Sequence, residues 1–302
     1  MSRYFGRVYK LEIGNGDDVI VYDGNIQDVS NKNGRRFPAQ IEFTIDQTPA
    51  AWRSYAEIII YGVARERRQA IYNKFDSVRL TAGYQDAFGV IFNGEIENVE
   101  LGRSKSDTFV KLFCNSSERA WQSGYIRQSF GKGTPQINII RAVAASFGLP
   151  VEIIGDFSKL PKAVNGFTVL NESSAVMTEL SRNFGFEWMH ENGKVLVIKD
   201  DAVRPDSDTF KYSILTGLVG SPSITVKGID VTVLLDPFIR PYDYFEVEAV
   251  TGKLVFNSIY YSTLNKISTG KGIHKVLSTT HEGNFYGDAW RTKIEGVRPH
   301  EV

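Results

Sequence analysis

The residues of this 302-residue chain best suited to chemistry are its carboxylate pairs, its four histidines, its one cysteine, its four tryptophans and a lysine in a glycine-rich turn. Glu95 and Glu97 lie two apart, so on a strand they share a face and mimic the acid and base of a glycosidase. Solvated strand faces place carboxylates this way without any catalysis. Phe130-Gly131-Lys132-Gly133-Thr134 hints at a phosphate loop, but Ile126 stands where the first glycine belongs and Gly133 where Ser or Thr belongs. His190, His274, His281 and His300 form no HExxH or other metal-spaced pair, and His281-Glu282 has Phe285 where a second ligand would sit. No serine lies in a GxSxG elbow. Cys114, alone, leaves neither a disulfide nor a zinc ribbon, and its place in the alternating stretch Phe109 to Cys114 suits a buried packing role. Trp52, Trp121, Trp188 and Trp290 have faces that stack bases or sugars, yet in strand-rich domains such rings more often fill cores and interfaces. The expectation is a protein that is not an enzyme, with no catalytic residue, cofactor or metal.

The elements that must carry these residues follow from periodicity. Apolar residues alternate at Tyr9, Leu11 and Ile13, then at Ile41, Phe43 and Ile45, with turns predicted at Asn15-Gly16, Asp23-Gly24 and Asn33-Gly34. A short helix is expected around Ala64 to Asn73, with Arg65 to Gln69 as its polar face. From about Trp121 the pattern changes. Thr134 can cap a helix with Pro135 in its first turn, Ile137, Ile140, Ala144 and Phe147 recur at helical spacing, and Gly148 ends it. A strand at Val151 to Ile154 follows. Asn171 or Ser173 then caps a helix carrying Val176, Leu180 and Phe184, closed by Gly185, before Phe186 to His190 and a hairpin at Asn192-Gly193 into Lys194 to Lys199. Past the polar stretch Arg204 to Asp208, strands resume with Ile229, Val231, Val233 and Leu235 alternating. The expected fold is mainly β with an α+β middle domain: a first strand-rich domain over 1–121, an α/β middle domain over 122–204 and a second strand-rich domain over 205–302.

Lys plus Arg and Asp plus Glu both number 35, so no global field draws in nucleic acid or an anionic membrane. Zero net charge also removes the self-repulsion that keeps monomers apart. The first residues lack an apolar signal core, and no apolar run approaches the ~18 residues needed to span a bilayer. No membrane segment is expected, and synthesis is placed in the cytoplasm.

An internal repeat links the two strand-rich parts. Asp76-Ser77-Val78-Arg79-Leu80-Thr81-Ala82 and Asp243-Tyr244-Phe245-Glu246-Val247-Glu248-Ala249 both read Asp, any, apolar, any, apolar, any, Ala. Phe92-Asn93 follows the first and Phe256-Asn257 the second. Each copy passes a second polar turn, at Gly102 to Asp107 and at Ser268 to Gly272, and reaches a tryptophan, Trp121 or Trp290. The reading is duplication of one β-domain, although any two antiparallel meanders share alternation and turn residues. A duplicated domain lets a trimer present six similar units, matching a threefold object to a sixfold one without breaking closed symmetry.

Several motifs then carry a resemblance. Leu218-Val219-Gly220-Ser221-Pro222 enters the last part, Leu234 to Asp243 contains Asp236-Pro237-Phe238-Ile239-Arg240-Pro241-Tyr242, and the chain ends through His274-Lys275-Val276, His281-Glu282-Gly283 and Gly287-Asp288-Ala289-Trp290. In these the chain resembles the baseplate hub proteins of contractile-tailed phages and related contractile particles. The resemblance implies two tail-tube-like antiparallel β-barrel domains around a middle domain. It also implies a homotrimer that joins the sixfold tail tube above to the threefold central spike below, among other baseplate proteins in the virion tail. A tail-associated carbohydrate- or peptidoglycan-active enzyme and a plain tail tube or adapter protein are the alternatives.

Pro237 and Pro241 bracket Arg240 and cannot donate ladder hydrogen bonds, so they mark a shaped structural corner after which pairing restarts at Tyr244. A bore that passes DNA or a tape-measure protein without holding it must avoid a Lys- and Arg-rich wall, so a neutral or acidic lining is expected. Glu246 and Glu248, pointing away from Phe245, Val247 and Ala249, are the candidate lumen-facing residues.

Overall fold

The computed structural model describes residues 6–25, 37–49, 53–104, 107–204, 209–224, 228–248, 253–254 and 272–298. The first part holds β1 (Arg7–Asn15), β2 (Asp18–Asn25), β3 (Ile41–Gln47), β4 (Tyr55–Tyr61), α1 (Arg65–Lys74), β5 (Ser77–Tyr84), β6 (Ala87–Ser104) and β7 (Asp107–Asn115). Its alternation is realised in burial: Tyr9, Leu11, Ile13, Ile41, Phe43 and Ile45 all face the core. Asn15-Gly16 makes the turn between β1 and β2, with Gly16 at φ +61°. Asp23-Gly24 does not turn the chain but lies within β2. A β-carbon at Gly24 would sit 2.4 Å from the Tyr9 ring, so the glycine serves close packing there. Asn33-Gly34 lies outside the described residues.

The middle part is built from α2 (Glu118–Ser123), β8 (Tyr125–Phe130), α3 (Gln136–Ala145), β9 (Val151–Ile154), β10 (Phe167–Glu172), α4 (Ser173–Phe184), β11 (Phe186–Glu191) and β12 (Lys194–Lys199). Strands β11, β12 and β9 form a three-stranded sheet, and β8 pairs with β10 in a separate ribbon. Ile139, Ile140, Val143 and Ala144 of α3 and Val176 and Met177 of α4 close over Trp188, Val195 and Val197. Asn192 and Gly193 both take positive φ, 47° and 82°, as a tight two-residue hairpin requires. Gly185 closes α4 at φ +62°. The N-terminal caps differ from expectation. The Thr134 hydroxyl donates to the Gly131 carbonyl at 2.8 Å, and α3 starts on Pro135 with no side-chain cap. Asn171 accepts from the Glu172 amide outside the helix, while the Ser173 hydroxyl meets that of Ser146 at 2.6 Å, tying α4 to α3.

The last part contains β13 (Phe210–Ser213), β14 (Ser223–Ile224), β15 (Gly228–Leu234), β16 (Tyr244–Glu248), β17 (Lys253–Leu254), β18 (Ile273–Asn284) and β19 (Trp290–Val297). Seven strands of the first part and seven of the last join in one fourteen-stranded sheet, ordered β17-β14-β15-β19-β18-β3-β4-β7-β6-β5-β1-β2, with β16 on β18 and β13 on β16. The seam is β18, twelve residues long. Its first residues pair with β16, its later ones, Thr279 to Asn284, run antiparallel to β3, and β19 covers its other edge.

The two halves of the sequence repeat are both strands with alternating burial, Val78, Leu80 and Ala82 in one, Phe245 and Val247 in the other. Ala249, Phe256 and most of the second turn lie outside the described residues. The neighbours differ: β5 lies between β1 and β6, whereas β16 lies between β13, in parallel, and β18. The closing tryptophans differ too. Trp121 sits in α2 and stacks on the middle core, while Trp290 opens β19 and fills the first.

Candidate functional site

The catalytic patterns weighed in the sequence do not converge. Glu95 and Glu97 are each used locally: Glu95 accepts from the Arg119 amide and Glu97 from Asn115. The Gly131 to Thr134 turn spends its amides internally, Gly133 on the Ala163 carbonyl and Thr134 on Gly131. Cys114 is fully buried, and burial raises its thiol pKa far above the usual range, which suits packing. His190, His274 and His281 are all buried. Burial depresses His281 to about 4, and its Nδ1 lies 2.9 Å from the Thr292 hydroxyl. His300 and Trp52 lie outside the described residues. Trp121 stacks on Trp188 at 5.6 Å with Arg53 over its ring at 4.9 Å. Among the described residues no cluster of His, Cys, Asp and Glu could hold a metal, and no helix is long and apolar enough to cross a membrane.

What the fold does assemble is a corner where all three parts meet. Pro237 and Pro241 are buried, and Phe238 and Arg240 between them are more open. Asp236 opens the corner: its carboxylate accepts from Tyr212 at 2.9 Å and from the Phe238 amide at 3.0 Å, and its own amide donates to Thr292. Asp243 closes it, accepting from the Arg240 amide at 2.8 Å with the Arg240 guanidinium 3.7 Å away. Pro237 and Phe238 press on Gly89 of β6, where a β-carbon would lie 3.1 Å from Pro237. This face of the corner touches the first part.

The other face grips the middle part. Arg204 donates from Nε to the Pro241 carbonyl at 3.0 Å and from Nη2 to both oxygens of Glu191 at 3.0 and 2.9 Å, and both side chains are only 2% exposed. Such a buried pair needs this geometry, because desolvating two charges costs several kcal/mol, of the order of what their attraction returns. Tyr242 adopts φ +74°, a left-handed conformation that costs a non-glycine residue roughly 1–3 kcal/mol. It is held there by its amide on the Val276 carbonyl at 2.9 Å and by its hydroxyl, which donates to Glu187 at 2.6 Å. Ile154, Met189, Leu196 and Ile198 pack around its ring. Sequence reading found the prolines and Arg240. It missed Tyr242, Glu187, Glu191 and the grip of Arg204, whose only signal was a charged residue beside the polar stretch.

The second constructed surface is the non-core face of the sheet across the seam. Paired residues of an antiparallel ladder project to one side. The register therefore sets Asp230 beside Glu295, Glu295 beside Ser278, Thr280 beside Asp46, Glu282 beside Thr44 and Thr44 beside Glu57. Two concavities of about 710 and about 240 Å³ open on this face, the larger toward Asp46, Asp230 and Glu295, the smaller toward Glu42, Glu57 and Glu282. Arg291 and Lys293 bind Glu282. Burial alone would raise that carboxyl, but the two hydrogen bonds outweigh it and hold it below the usual range. Asp230 is raised, first by burial and then by the charge of Glu295. The acids outnumber the bases. Glu246 and Glu248 lie on the opposite side of β16 from Phe245 and Val247, as expected, but line neither concavity; Glu246 sits 4.0 Å from Lys211.

Comparison with known proteins gives this architecture a context. A family model described as baseplate hub gp41 matches residues 50–255. A search of curated proteins found no match. Among solved structures, the chain is similar to the 43 kDa tail protein of prophage MuSo2 from Shewanella oneidensis, with TM-score 0.59, 10% identity and 96% of each chain covered. It is similar to a tail protein of Neisseria meningitidis MC58, with TM-score 0.58, 9% identity and the same coverage. It is also similar to the E. coli c3393 protein, a type VI secretion component described as resembling the T4 tail proteins gp27 and gp5. There the TM-score is 0.57 at 8% identity, over 89% of this chain and 76% of that one. At these identities the likeness is one of fold.

Proposed function

The chain belongs to the baseplate hub gp41 family, and we propose that it is a structural hub subunit that closes a homotrimeric ring between the sixfold tail tube above and the threefold spike below. The observation that carries this reading is the single sheet in which seven strands of the first part continue into seven of the last. One chain thus offers two strand-rich units in fixed relation, and three chains offer six. The division into 1–121, 122–204 and 205–302 belongs to the same proposal, with the Pro237 to Asp243 corner locking the three units so that they do not hinge. No catalytic role is assigned.

In this reading the ring stands in the tail baseplate of a virion assembled in the bacterial cytoplasm, and its bore passes DNA or a tape-measure protein without binding it. An acid-rich wall suits that task, because phosphate is repelled rather than held. Glu246 and Glu248 remain candidates for the bore, and the concave face bearing Glu42, Asp46, Glu57 and Glu282 is the larger acidic surface. Sedimentation at high protein concentration, alone and with tube and spike proteins, tests the assembly. A mass near three chains is expected. A mass near one chain under all conditions overturns the ring.

A further inference from the structure

The ribbon of β8 and β10 lies apart from both larger sheets, and among the described residues neither strand has a second neighbour. Two strands alone are marginal in water. Strand β8 anchors the pair by burying Ile126 and Phe130 in the middle core, whereas β10 buries no residue and leaves all but Val169 exposed. An edge of this kind is a template for another strand, and proteins that must keep it free blunt it with proline, lysine or a bulge. Phe167-Thr168-Val169-Leu170-Asn171-Glu172 has none of these.

The register sets the outer face of the ribbon: Tyr125 stands opposite Glu172, Arg127 opposite Leu170 and Ser129 opposite Thr168, with the last two hydroxyls 2.8 Å apart. Tyr125 and Leu170 are 52% and 59% exposed. At the far end the Gly133 amide donates to the Ala163 carbonyl and the Ala163 amide to that of Thr134, which joins the turns bearing Lys132 and Lys162. Arg127, Lys132 and Lys162 are exposed and hold no ion pair with a described residue. From Arg119 to Val151 the chain contains no acid, and between Glu152 and Glu172 it contains only Asp156, which accepts from the Ser158 amide at 2.8 Å. Glu172, at the opposite end, is the one acid of the ribbon itself.

We infer that this ribbon is a docking site for an extended acidic segment of a partner protein, which adds as a third strand along β10 with its carboxylates toward Arg127, Lys132 and Lys162. Main-chain pairing supplies the affinity and the cations the choice of partner. A second ribbon from another copy does not fit, because edge-to-edge pairing would set like charges together. Nor does nucleic acid, whose phosphates offer no row of amides and carbonyls to complete the ladder. The inference does not rest on the ring proposed above.

A fluorescent peptide of about eight residues, glutamate alternating with valine, is long enough to cover β10 and serves as the probe. The full chain is expected to bind it saturably. The same peptide with its backbone amides methylated keeps its charge but loses its donors, and should not bind. The double variant Arg127→Glu with Lys162→Glu, its folding verified by circular dichroism, should bind roughly tenfold more weakly or worse, with little of the wild type's salt dependence. No binding of the acidic peptide overturns the inference. Equal binding of the methylated peptide, or of one with lysine in place of glutamate, does so too, because bare charge or apolar area would then suffice. A single-stranded oligonucleotide of the same charge that binds more tightly than the peptide would make the ribbon a phosphate site instead. A double variant that loses the wild type's oligomeric mass would put a second copy on the ribbon, again overturning the inference. The peptide results stand whatever mass the wild type has.

Discussion

The first and last strand-rich parts differ in who completes whose core. The last part buries Tyr212, Ile229, Val231, Val233, Phe245, Val247, Val276 and Ile294 among themselves, all from its own strands. The first part is finished by residues it does not contain: Leu235, Phe285 and Trp290 lie inside its cluster with Tyr9, Leu11, Phe43 and Leu80. Trp290 donates its indole N–H to the Gly83 carbonyl at 3.0 Å, and Phe285 meets Tyr9 edge-on at 4.8 Å. Among the described residues donation runs one way. Two parts with the same number of strands among the described residues and a shared sequence pattern are therefore unequal: one has a core of its own, the other is closed by residues lent from it.

The largest test of that inequality is Trp290→Ala. Removing a buried tryptophan costs about 3–5 kcal/mol, and the loss should appear as faster amide exchange in β1 and β5 as well as β19. Protection lost only in the last part would break the comparison. Next comes Arg204→Ala, which strands Glu191 and should cost about 3 kcal/mol in chemical denaturation, while Glu191→Met with Arg204→Met should recover most of it. Equal losses from single and double variants would mean that the corner depends on Arg204 through the Pro241 carbonyl rather than through the ion pair.

The smallest effect is one of pH. His281 lies in the seam, paired with Ile45, and folds in its neutral form with its pKa lowered to about 4 by burial. The unfolded chain binds that proton at about pH 6.5. Its stabilising contribution is therefore complete above 6.5 and declines as the pH falls toward 4, by up to about 1.4 kcal/mol per pH unit. Denaturation midpoints measured across that range for the wild type and His281→Gln should converge as the pH falls. Parallel curves would remove His281 from the account.

How much of this could be read beforehand depends on sequence distance. The strands at Tyr9 to Ile13 and Ile229 to Leu235, the two middle helices and the Asn192-Gly193 hairpin are local patterns, and they were legible. The β8 and β10 ribbon was not, because Tyr125, Arg127, Gln128 and Ser129 are all exposed and leave no alternation to see. Pro237 and Pro241 announced a corner, but the positive φ of Tyr242 directly after them is held by Glu187 and Val276 and has no local cause. The acidic concave face was invisible for a simpler reason. It exists only through the register of β18 on β3, and no local pattern reveals a pairing between strands so far apart in the chain.

That long-range pairing has a consequence for how the chain is made. Thr279 bonds Gln47 across 232 residues, so the first part, although synthesised first, waits with one edge of β3 paired to β4, the other edge open, and a gap where Trp290 belongs. At ribosomal speeds of roughly 5–20 residues per second, the interval between β7 and the arrival of β18 is on the order of ten to thirty seconds. An open strand edge beside an incomplete apolar core is a template for the wrong partner during that time. In a cell making many copies at once, another nascent chain is the nearest such partner. Folding helpers that shield strand edges should therefore raise the yield of this protein more than they raise its final stability.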